Sequence, residues 1–137
     1  MKSRLVALAA ILVAAPIAWA MLVKDDDAGS AARPIAEVRV PTLSATATAG
    51  EAVFDANCAA CHGDSAAGRD GAGPPLVHTI YEPNHHSDAA FFLAARQGVR
   101  SHHWPFGNMP PVEGVSDDDV ALIVAYVREL QRANGVF

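Results

Sequence analysis

The two cysteines of the chain stand three positions apart, in the run Asn57-Cys58-Ala59-Ala60-Cys61-His62-Gly63-Asp64, and a histidine follows the second directly. A structural disulfide between them would close a cramped ring and leave His62 without a role. The surrounding sequence nevertheless needs something to hold it. Residues 63–86 and 99–115 are long irregular stretches rich in Gly, Pro and His. Loops of that length are uncommon in a compact domain unless something other than backbone pairing fixes them. Three modest helices in fewer than 90 residues make a small core. The chain therefore lacks a piece, and a large apolar cofactor fills the gap.

The pattern predicts an all-α domain. A first helix is expected from about Glu51 to Cys61, with Gly50 at its entry. A second starts at Ser87-Asp88, runs through AAFFLAARQ and stops at Gly98, a residue suited to helix termination. The third opens on Ser116 followed by Asp117, Asp118 and Asp119, which place negative charge at the positive end of the helix dipole. Its apolar residues Val120, Ile123, Val124, Val127 and Leu130 recur at helical spacing with Tyr126 beside them; Arg128 and Arg132 fall in the last turns, and Asn134-Gly135 ends it. No run alternates well enough for a sheet, although residues 35–40 could form a brief extended piece.

A Cys-x-x-Cys-His run is the attachment signature of a c-type haem. Two residues between the thiols let both sulfurs reach the two vinyl groups of one porphyrin edge as thioethers, while the next side chain turns over the ring to meet iron. Other uses of the thiols fit less well. Zinc needs about four ligands, and His78 has no partner histidine at the usual spacing after it. A thioredoxin-like dithiol follows a strand, whereas a helix precedes Cys58.

NCAACHGD, the following GAGPPL and the later WPFGNMPP together resemble the three signature regions of class I c-type cytochromes, small bacterial monohaem members in particular. The likeness covers roughly residues 49–137, and the first and last helices match the terminal pair of that family. It implies the cytochrome c fold, about three main helices and long loops wrapped around one covalently attached haem c. Cys58 and Cys61 then carry the covalent haem, and His62 supplies one axial ligand to its iron. The resemblance also implies a backbone carbonyl in Gly73-Pro74-Pro75-Leu76 as acceptor for the second ring nitrogen of His62, with Pro74 in the matching place and two adjacent carbonyls available. Met109, the only methionine after Met21, is the expected opposite ligand, presented by the turn Gly107-Asn108-Met109-Pro110-Pro111. Gly50, Phe54 and Tyr126 fall where the terminal helices of the family cross.

Two protein ligands on iron leave no open position, and a thioether opposite histidine favours the reduced state. The expected function is a carrier cycling between Fe(II) and Fe(III), not an enzyme. Two alternatives stand beside it: a haem subunit of a dehydrogenase or oxidase complex, and a sensor or peroxidase with a labile sixth ligand. His78, His85, His86, His102 and His103 are rivals of Met109 for iron, candidates for a second metal site or a pH-sensitive surface, or ordinary solvated side chains. Trp104, Phe106, Phe91, Phe92 and Tyr81 are candidate walls of the haem pocket.

Before the domain, Lys2 and Arg4 precede an uncharged run from Leu5 to Val23, with Ala18-Trp19-Ala20 as a small-x-small cleavage motif and Lys24-Asp25-Asp26-Asp27 after it. Residues 1–23 read as a signal peptide or an uncleaved membrane anchor, and residues 24–48 as a flexible linker. Either option exports the domain, so a periplasmic location is expected, soluble or tethered to the inner membrane. Between Glu51 and Phe137 five arginines face eleven acidic residues, a formal charge of −6. That balance argues against nucleic acid and for redox partners, a donor and an acceptor, with a basic docking face.

Overall fold

The computed structural model describes residues 33–137; the segment expected to be a signal or anchor, and residues 24–32 of the expected linker, lie outside them. Among the described residues no helix is long and apolar enough to cross a membrane. They form four α-helices and no strand: α1 Ala45–Asn57, α2 Ala59–His62, α3 Asp88–Gln97 and α4 Asp117–Ala133. The three helices read from the sequence are present, the first of them divided into α1 and α2. Single 3-10 turns lie at Asp64–Ala66 and Thr79–Tyr81.

The cap chemistry of α4 forms as expected. Ser116 Oγ accepts from the Asp119 backbone N–H at 3.2 Å, and the Asp119 carboxylate accepts from the Ser116 N–H at 3.0 Å. Two orphan donors of the helix start are thereby satisfied reciprocally. All six apolar positions of the predicted stripe are buried.

Helices α1 and α4 make the largest helix–helix contact of the domain. Gly50 is what lets them approach: a Cβ built on it would lie 2.0 Å from the Leu122 carbonyl oxygen. One turn away, Phe54 and Tyr126 pack ring to ring with centroids 5.6 Å apart, both fully buried. Each aromatic buried this way stabilises the fold by roughly 1.5–3 kcal/mol. The expected crossing at Gly50, Phe54 and Tyr126 is therefore present. Burial, with Glu51 nearby, pushes the Tyr126 phenol up to about 12.

Helix α1 starts at Ala45, six residues before the expected Glu51, and breaks at Cys58, where the expected single helix to Cys61 divides into α1 and α2. Ser44 caps it, its Oγ accepting from the Ala47 N–H at 3.2 Å while donating to Glu129 Oε1 on α4 at 2.6 Å. Residues 33–44, expected as linker, are tied down. The Ile35 and Ala36 N–H groups both donate to the Ala67 carbonyl, and Arg39 and Asn134 exchange two backbone–side-chain bonds at 2.8 and 2.9 Å. Residues 35–40 form no strand. Those partners lie far away in sequence, so no local pattern announces them.

A second correction concerns Arg128. Placed in the sequence reading as a charge near the end of the last helix, it is 7 % exposed and points inward. Its guanidinium donates to the Tyr81 carbonyl at 2.7 Å, the His86 carbonyl at 2.6 Å and Gln131 Oε1 at 2.6 Å, and lies 5.0 Å from the centre of the Phe91 ring. Gln131, also buried, donates to the Leu76 and Tyr81 carbonyls at 2.8 and 3.0 Å. One buried fork on α4 thus holds the loop ahead of α3, where no backbone ladder exists to do so.

Candidate cofactor site

Helix α3 buries none of its residues, and Leu93 is 52 % exposed. Its apolar residues Ala90, Phe91, Leu93, Ala94 and Ala95 instead line a cavity of about 340 Å³. That volume lies within the range of small-molecule sites, and an apolar helix face turned to an open cavity calls for an apolar occupant. The opposite walls come from Phe54 of α1 and from Val120 and Ile123 of α4.

The sequence-predicted residues meet here. His62 and Cys58, from the α1–α2 corner, line the cavity, as do Pro74 and Met109. Cys61 does not line it and is exposed, and no disulfide joins it to Cys58. Of the aromatic residues expected in the wall, Trp104, Phe106, Phe91 and Tyr81 are there, whereas Phe92, on the same helix as Phe91, is not. Consecutive helix positions point about 100° apart, and that turn carries Phe92 off the face with which Phe91 meets the cavity.

His62 Nδ1 lies 2.9 Å from the Pro74 carbonyl oxygen, which resolves the choice between the two adjacent carbonyls. A carbonyl only accepts, so Nδ1 carries the proton and Nε2 keeps its lone pair. Burial lowers the His62 pKa below its ordinary value against the opposing effect of that hydrogen bond, and the ring is held neutral. Its Nε2 is therefore an oriented lone pair of the kind that binds a metal.

Met109 is fixed by its backbone. It exchanges two bonds with Val99, N–H to carbonyl at 3.0 and 2.9 Å, and the preceding Asn108 side chain accepts from the Ser101 N–H at 2.9 Å. Gly98, with φ +71°, makes the approach possible, since a Cβ there would fall 2.4 Å from the Met109 carbonyl oxygen.

Three observations fit a porphyrin in this cavity. The wall is largely apolar and, besides the loop histidines His86, His102 and His103, presents the His62 imidazole and the Met109 thioether, a donor set suited to haem iron. Among the described residues Trp104 Nε1–H is buried without a hydrogen-bond partner, although Tyr81 lies near enough to be influenced by it, and so offers a donor to a carboxylate. Burial and the neighbouring Cys61 push the Cys58 thiol up to about 11, the opposite direction from the lowered values of exchange-active cysteines.

The loop histidines have distinct places. His78 caps the second 3-10 turn, Nδ1 accepting from the Ile80 N–H at 3.2 Å, with its ring edge-on to Trp104. His86, His102 and His103 line the cavity, and His85 stands beside them. Sequence reasoning missed Arg128 and Gln131, which position the Tyr81 and His86 side of the cavity; a helix position that reads as a surface charge carries no sign of being turned inward.

No curated protein and no solved structure matches the chain. Residues 47–131, more than half of the chain, match the family model described as Cytochrome c, and the chain belongs to the cytochrome c family.

Proposed function

We propose that this haem-binding electron-transfer protein is a monohaem carrier of single electrons, acting in the periplasm between a donor and an acceptor with basic docking faces. In this reading Cys58 and Cys61 would hold the haem as thioethers, and His62 Nε2 and the Met109 sulfur would ligate its iron. Bound there, the haem supplies a one-electron iron couple. The chain does the rest. His62 is kept neutral and oriented by Pro74, Met109 is held by the Val99 bridge, and the α1, α3 and α4 side chains exclude water from the cavity. With an imidazole and a thioether both committed to the iron, the chain would leave no place there for a substrate, and the group would supply exchange of charge without a bond of a second molecule being made or broken.

The observation that carries this reading is the His62 Nδ1 to Pro74 bond, which leaves Nε2 as a lone pair in a cavity that Met109 also lines. The excess of acidic over basic residues in the domain supports partners of opposite charge. The uncharged run at 5–23 behind a basic start supports export and, if uncleaved, a membrane tether.

Optical spectra of wild type and Met109→Ala test it. The expected wild type is low-spin with a thioether signature that the variant lacks, and its reduced form binds carbon monoxide only slowly at neutral pH. An unchanged spectrum in the variant, or rapid stoichiometric carbon monoxide binding by the wild type, would overturn it.

A further inference from the structure

Four imidazoles that the proposed electron carrier does not use converge at the rim of the cavity. They come from two loops: His85 and His86 just before α3, His102 and His103 between Gly98 and Met109. Ring centroids are 4.7 Å apart for His85 and His86, and 5.4 Å for His103 with each of them.

The nitrogen geometry is that of a ligand set. His85 Nε2 and His103 Nε2 are 3.4 Å apart, and one ligand nitrogen from each of His85, His86 and His103 can be chosen so that all lie within 4.8 Å of one another. Two nitrogens on one tetrahedral ion, each at the usual zinc–imidazole distance of ~2.0–2.1 Å, are themselves about 3.4 Å apart. His86 is already oriented as a ligand would be. Its Nδ1 donates to the Ile80 carbonyl at 2.6 Å, which fixes the tautomer with Nε2 unprotonated. The backbone beneath it is anchored as well, since Arg128 Nη2 donates to the His86 carbonyl at 2.6 Å.

We propose that His85, His86 and His103 form a second metal site, separate from the haem iron, that takes one divalent ion of the zinc and copper class. Three imidazoles and no carboxylate select borderline transition ions over magnesium or calcium, which require oxygen ligands. Three protein ligands leave at least one position of the ion for water. His102 stands beside the set, with its ring 4.2 Å from that of His103 and its Nδ1 held by the Arg100 carbonyl at 2.8 Å.

The test uses the haem-loaded chain without a histidine tag, titrated calorimetrically with zinc chloride in the presence of excess calcium. The expected result is saturable uptake of one zinc per chain. The double variant His85→Gln/His103→Gln should bind at least tenfold more weakly, while His78→Gln should bind as wild type does. Both rings of the double variant are exposed, so its fold should be that of the wild type. Because His103 also lines the cavity, the spectral control is His85→Gln, whose ring is not part of that wall and whose optical spectrum should be unchanged. No saturable uptake, or uptake undiminished in the double variant, overturns the site. A changed haem spectrum in His85→Gln also overturns it, by assigning that imidazole to the iron, and it is a result separate from the Met109→Ala comparison.

Discussion

Arg128 and Asp88 form an ion pair with one end inside the protein and the other in water: Nε donates to Oδ1 at 2.8 Å, the arginine side chain 8 % exposed and the aspartate 63 %. The remaining guanidinium bonds go to two loop carbonyls and to Gln131. The pair therefore joins α4 to the first turn of α3, and the carbonyl bonds join both to the loop that carries Tyr81 and His86.

The two ends should respond differently to substitution. Arg128→Met leaves the His86 carbonyl and the Gln131 amide oxygen without a donor and the Tyr81 carbonyl with the Gln131 bond alone, at ~1–3 kcal/mol for each group that stays buried and unpaired, so a loss of about 3 kcal/mol is expected. Asp88→Asn removes only a solvent-exposed charge, and should cost about 1 kcal/mol or less. Denaturant unfolding of both haem-loaded variants checks this; equal losses would mean that the ion pair, and not the carbonyl bonds, holds the loop.

Gly50→Ala tests the helix crossing. The new Cβ meets the Leu122 backbone oxygen at 2.0 Å, and backbone cannot turn aside as a side chain can. Overpacking of this kind costs ~1–3 kcal/mol or more, against a helix-propensity gain of under about 1 kcal/mol. Lower stability is expected although alanine is the better helix former, and a denaturation midpoint at or above that of wild type would show that the helices have room to separate.

What could be read from the sequence divides along physical lines. The cap at Ser116 and the buried stripe of α4 were legible because each depends on residue type at fixed spacing, and Cys58, His62 and Met109 were singled out together because their motifs resemble those of the family. The early start of α1 was not. Ala45 to Gly50 has the composition of a linker, and it is helical because Ala47 and Gly50 pack on α4 and Ser44 finds Glu129, 85 positions away. Arg128 and Gln131 were missed for the same reason, since an inward turn of polar residues is decided by carbonyls that only the fold brings near.

The Ser44–Glu129 contact predicts a small dependence on pH. Hydrogen bonds from the Ser44 hydroxyl and N–H hold the Glu129 carboxyl below its ordinary value of 4.5. A group whose folded pKa is depressed adds stability above its unfolded pKa and loses it as pH falls through the folded value. Glu129→Gln should therefore melt below wild type at pH 7, with the difference narrowing below pH 4.5. The site is exposed, so the effect at pH 7 should be under about 1 kcal/mol. A difference that stays constant or widens in acid would contradict the assignment.

Gly98→Ala connects backbone conformation to the proposed ligation. With φ at +71° and a Cβ that would fall 2.4 Å from the Met109 carbonyl oxygen, alanine at 98 must push Met109 away from Val99 and break one or both bonds of their bridge. Gly107 is the control: its φ is +83°, and a Cβ there meets nothing within 4 Å, so alanine brings backbone strain without a clash. Strain of that kind costs ~1–3 kcal/mol and should lower the stability of both variants. The Gly98 variant alone should weaken or lose the thioether signature of the haem spectrum, because the bridge sets where the Met109 side chain starts. Equal retention in both variants would show that the sulfur finds iron without the bridge, and equal loss would show that any strain in this loop displaces it.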